Sequence, residues 1–63
     1  MLKFACKTER SLYYTLKLAH MECVDFLVTS SEDERGKITF YVEFCVDESR
    51  YEELTRKQHN IVY

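Results

Sequence analysis

The sequence predicts a small α+β domain with the order β-α-β-β-α. Three observations carry this. The chain has 63 residues, enough for one domain and no more. Its apolar residues alternate with period 2 in three segments and recur with helical spacing in two others. It contains one glycine and no proline, and the glycine falls at the one polar run that separates two strand patterns. At 46% hydrophobic and 32% charged, the composition is that of a globular chain and excludes a disordered or collagenous one.

Leu2, Phe4 and Cys6 alternate with Lys3, Ala5 and Lys7, which predicts a first strand over 2–7. Thr8 is placed to cap a helix, with Glu9 in its first turn. Leu12, Leu16, Ala19 and Cys23 then follow at one-face spacing, so a helix is expected over 9–23 with that stripe inward. Val24, Phe26 and Val28 predict a second strand over 24–30 with those residues in the core. The polar run 30–36 ends in Gly36, which supplies the positive φ of a hairpin loop. Ile38, Phe40, Val42, Phe44 and Val46 alternate with Lys37, Thr39, Tyr41, Glu43 and Cys45 and predict a third strand. Asp47 or Ser49 is placed to cap a last helix, and Ser49-Arg50-Tyr51-Glu52 has the spacing of a capping box. Tyr51, Leu54, Gln58 and Ile61 give that helix a thin inner stripe. Ile61-Val62-Tyr63 is either a frayed tail or a stub of strand.

A right-handed crossover sets strand 2 parallel to strand 1, and strand 3 fits between them, antiparallel to both. The expected architecture is a three-stranded antiparallel sheet with two helices on one face. This is a truncated ferredoxin-like split β-α-β arrangement in a single domain over 1–63. Without a fourth strand, residues 2–7 form an open edge, which Lys3 and Lys7 blunt in part.

The formal net charge is −2, so the basic excess of a typical nucleic-acid binder is missing. No apolar run approaches the ~20 residues of a membrane span, and two lysines interrupt the first seven residues, where a signal peptide would be apolar. Three cysteines, Cys6, Cys23 and Cys45, read as reduced thiols of a cytoplasmic protein.

No chemical motif emerges. His20 and Cys23 stand at i, i+3 on the first helix, but Cys6, Cys45 and His59 are expected to point elsewhere, so no metal site and no cofactor is expected. There is no nucleophile elbow or phosphate loop, and the carboxylates cluster at the hairpin tip and on the last helix, so no enzyme is expected.

What stands out is apolar surface that the expected core does not use. Tyr14, Leu18 and Met21 lie on the far side of the first helix. Ala5, Leu27, Tyr41 and Cys45 lie on the sheet face away from the helices. Tyrosine and methionine are favoured at interfaces. Tyr14, Leu18, Met21, Leu27 and Tyr41 are therefore the candidate partner-binding residues, unless the last helix leans on the Tyr14 stripe. The expected function is a small non-catalytic interaction module, acting as a homodimer or on a larger protein. It would serve as an inhibitor, adaptor or regulatory subunit, such as viral and mobile-element accessory proteins supply.

The segment Arg35-Gly36-Lys37-Ile38-Thr39-Phe40-Tyr41-Val42-Glu43-Phe44 is similar to the central-strand motif of RNA-recognition (RRM) domains. That resemblance implies a single-stranded nucleic-acid binder using Tyr41 with Lys3, Lys7 and Lys37. Thr39 and Ala5 stand where further stacking aromatics belong, and Glu43 repels phosphate.

Overall fold

A computed structural model describes all residues, Met1–Tyr63. The elements run β1 (Leu2–Cys6), α1 (Glu9–Met21), β2 (Phe26–Glu32), β3 (Ile38–Phe44) and α2 (Tyr51–Val62), with a 3₁₀ turn at Glu48–Arg50 leading into α2. The sheet has the order β1-β3-β2 and both its ladders are antiparallel, as the crossover argument requires. The chain is a small α+β domain of three antiparallel strands and two helices.

Thr8 caps α1. Its Oγ1 accepts the Ser11 N–H at 3.1 Å, and Ser11 Oγ accepts the Thr8 N–H at 3.3 Å, so serine takes the position usually held by Glu or Gln. At the other end, the Cys23 N–H donates to His20 O at 3.2 Å and the Val24 N–H to Ala19 O at 2.9 Å. This Schellman closure puts Cys23 at φ 55°, in the left-handed region where glycine is usual. In the β2–β3 hairpin, Gly36 sits at φ 80°. Asp33 Oδ1 accepts the Arg35 and Lys37 N–H groups at 2.8 and 2.9 Å. β2 runs further into this polar stretch than the sequence suggests, because Asp33 rather than the serines makes the turn.

The core lies between the helices and one face of β1 and β3. Phe4, Cys6, Val42 and Phe44 meet Leu18, Ala19 and Leu54, and the Phe4 and Phe44 rings pack edge to face at 5.1 Å. A polar node is buried with them. Thr15 Oγ1 donates to Ser11 O at 2.7 Å, accepts from Gln58 Nε2 at 3.2 Å, and lies 3.6 Å from the Cys6 thiol. It joins β1, α1 and α2 and leaves no buried side-chain N or O unpaired.

Five expectations need correction. The buried face of α1 is Ser11, Thr15, Leu18 and Ala19, about a quarter turn from the expected stripe. Leu12 and Leu16 sit at its margin and Cys23 is exposed. Leu18, expected on an outer stripe, is only 2% exposed, because α2 packs on that flank of α1. Phe26, Val28 and Ile38, expected in the core, are exposed, because the helices cover β1 and β3 and leave β2 outside. No capping box forms at Ser49: neither Asp47 nor Arg50 makes a side-chain cap, and Arg50 N–H bonds the Asp47 carbonyl at 3.0 Å. Residues 61–62 are neither tail nor strand but the last turn of α2, with Val62 buried.

Candidate functional site

The largest exposed apolar residues of the sheet are concentrated on β2 and the adjoining start of β3. Phe26 is 42% exposed, Leu27 57%, Val28 43% and Ile38 49%. All seven β2 residues are exposed, so this strand is open on both faces as well as along its outer edge.

The hydrogen bonds bracketing the hairpin define that edge. The Asp33 N–H donates to Lys37 O at 2.9 Å and the Cys45 N–H to Asp25 O at 2.8 Å. Both pairs continue the register Leu27↔Glu43, Thr29↔Tyr41, Ser31↔Thr39. Bonded pairs alternate along an antiparallel ladder. Leu27, Thr29 and Ser31 therefore turn their backbone groups towards β3, and Phe26, Val28, Ser30 and Glu32 turn theirs outward. Between Phe26 and Ser31 there is no charge and no proline, the usual protections of an edge. The opposite edge, β1, carries Lys3.

The sequence-derived partner residues separate in space. Leu18 belongs to the core. Tyr14 is half-buried, with the Arg10 guanidinium 5.0 Å and the Lys17 ammonium 5.9 Å from its ring centroid, and Tyr13 edge-on at 5.1 Å. Met21 is exposed beside the α1–α2 groove that Leu18, Glu22, Lys57 and Ile61 also line. Leu27 and Tyr41 share the sheet face away from the helices, one rung apart in the register, and Leu27 is the more exposed. Phe26, Val28 and Ile38 escaped the sequence reading as surface residues. Their alternation is the ordinary signal for a core strand, and nothing local reports that a strand lacks cover.

Lys3 and Tyr41 share the outward face of β1 and β3 with Ala5 and Glu43, while Lys7 and Lys37 lie just beyond the strand ends. Lys3 is engaged there: its Nζ lies 3.5 Å from Glu43 and 5.4 Å from the Tyr41 ring centroid. Glu43 thus takes up the cation nearest the aromatic ring.

The strongest ionic cluster joins the two helices. Glu22 Oε1 accepts from Arg50 and from Lys57, both at 2.9 Å. Glu53 accepts from Lys57 at 3.0 Å and from Arg50 at 3.4 Å. Hydrogen bonding from Lys57 holds the Glu22 carboxyl below its usual range and, with Arg50, does the same for Glu53. The two carboxylates in turn raise Lys57. Each charge is partnered within the cluster, so its role is to lock α2 onto α1. The Glu53–Lys57 spacing is legible in the sequence, whereas the reach of Glu22 across to α2 is tertiary.

No helix is long and apolar enough to cross a membrane. Comparison with protein-family models, with curated proteins and with solved structures finds no match to this chain.

Proposed function

We propose that the chain is a small non-catalytic interaction module whose contact surface is the uncovered β2 strand. The observation that carries this reading is the coincidence of Phe26, Leu27, Val28 and Ile38 at the surface with a free row of backbone donors and acceptors on the same strand. A partner strand would satisfy the backbone row, and apolar side chains on either face would add affinity by burial. Leu27 stays in the set of contact residues and Tyr41 lies at its margin, whereas Leu18 leaves it. A reducing, cytoplasmic setting belongs to the same reading, and the three free cysteines support it. The nucleic-acid reading ranks second, because Glu43 pairs with Lys3 and Tyr41 stands as a single aromatic between Ala5 and Thr29.

Site-specific photocrosslinking in cells tests the proposal. A benzophenone side chain at position 27 is expected to give protein adducts, and one at position 52, on the exposed face of α2, is expected to give none. Absence of adducts at 27, or equal adducts at both positions, would refute it.

A further inference from the structure

We propose that the occupant of the β2 edge is β2 of a second copy, paired antiparallel about a two-fold axis through Val28. This rests on the reading of β2 as the contact surface and names its partner. Antiparallel pairing about a two-fold axis brings a strand's outward-facing residues against the same set on its twin. Phe26, Val28 and Ser30 carry the outward groups, so pairs Val28–Val28, Phe26–Ser30 and Ser30–Phe26 would form about six backbone hydrogen bonds.

Charge selects the register. Full overlap of the strands centres on Thr29 and sets Asp25 of each copy against Asp33 of the other, with Phe26 against Glu32. Like charges directly opposite are destabilising. Centring on Val28 moves Asp25 opposite Ser31 and leaves no two acidic residues directly opposite. It also places the two Val28 side chains together on the helix-side face, with each Phe26 diagonal to the other copy's Val28. A foreign strand would have to match this uncharged stretch, whereas a second copy carries it by construction.

The size of the core points the same way. Twelve residues of 63 are buried, and all three cysteines are free, so no disulfide reinforces the fold. Oligomerisation is a common way for a domain this small to complete its burial. A shared six-stranded sheet would bring together Phe26 and Val28 of the two copies, the two apolar side chains on the helix-side face of β2.

Sedimentation equilibrium of the full chain tests this. The expected mass is about 15 kDa at high concentration, twice the 7.6 kDa of one chain. Ser30→Pro is the diagnostic variant. The Ser30 N–H points away from β3, so proline spares the hairpin and removes only intermolecular bonds, one from each copy. Its dimer dissociation constant should rise about tenfold or more, with an unchanged far-UV spectrum and a preserved β2–β3 ladder by NMR. Val28→Lys, which places like charges at the axis, should have the same effect should proline disturb the fold. A wild-type chain that stays at 7.6 kDa at about 1 mM overturns self-pairing. So does a folded Ser30→Pro or Val28→Lys chain with undiminished association. In either case an adduct of other mass at position 27 leaves the interaction reading standing, and no adduct at all removes both.

Discussion

Leu18 is the residue on which an outer stripe and an inner core make opposite predictions, and Leu18→Ala separates them. The side chain is 2% exposed and sits with Ala19, Leu54 and Phe44 in one cluster. Truncation removes three carbons from that cluster. At ~0.8 kcal/mol per buried carbon the transfer loss is about 2.4 kcal/mol. The cavity left between two helices and a sheet adds to it, which puts the cost within the roughly 2–5 kcal/mol of buried leucine truncations. A 63-residue domain has about 3–9 kcal/mol of stability in total, so the variant should be only marginally folded. Differential scanning calorimetry should show the melting temperature lowered by at least ~10 °C and by up to about 40 °C, at ~4–8 °C per kcal/mol for a domain of this size. Leu27→Ala is the matched control. Leu27 is 57% exposed on β2, so its truncation should move the melting temperature of the monomer by no more than ~2–4 °C. Equal melting temperatures for Leu18→Ala and wild type, with self-association lost in the first, would refute the core placement.

Three further predictions follow from particular contacts. Thr15→Val removes the hydroxyl that accepts the Gln58 amide and donates to Ser11 O, leaving a buried donor unpaired; it should cost about 1–3 kcal/mol in urea unfolding. Adding Gln58→Leu should recover part of the loss, and a strictly additive double variant would show that the two side chains do not interact. Cys23→Gly relieves a left-handed backbone at the C-terminus of α1 and should stabilise the fold by about 0.5–1 kcal/mol; a lower melting temperature would mean that the Cys23 side chain contributes packing that outweighs the strain. The carboxyls of Glu22 and Glu53 are lowered from 4.5, so their contribution is complete above that value and is lost as pH falls through the depressed folded-state values. The urea midpoint should therefore drop on acidification below about pH 4.5, and Glu22→Gln should flatten that drop. An identical acid slope in the variant would contradict the role of the cluster. Lys57, raised from 10.5, contributes below that value and loses its contribution only as pH climbs through the raised one.

Much of the fold is written in local pattern. Period-2 alternation over β1 and β3, the Thr8 cap and the Gly36 turn are each set by a few adjacent residues, and each appears where the sequence puts it. The strand order β1-β3-β2 is also the expected one, with β3 fitting between the two strands that the α1 crossover joins.

Burial is where the sequence runs out, because it depends on how bodies pack rather than on how one segment repeats. The leucines of α1 suggest one inward face, but the helix is rolled so that Ser11 and Thr15 point in. That roll is tolerable only because Ser11, Gln58 and Cys6, from α1, α2 and β1, all meet Thr15 there. The same roll turns Leu18 towards α2 and takes it out of the candidate surface. The sequence by itself determined the elements, their order and the presence of more apolar surface than three strands and two helices of this length can hide. Only the tertiary structure decided which strand goes uncovered: with α1 packed on β1 and β3 and α2 packed on α1, the same alternation that buries Val42 and Phe44 leaves Phe26 and Val28 at the surface.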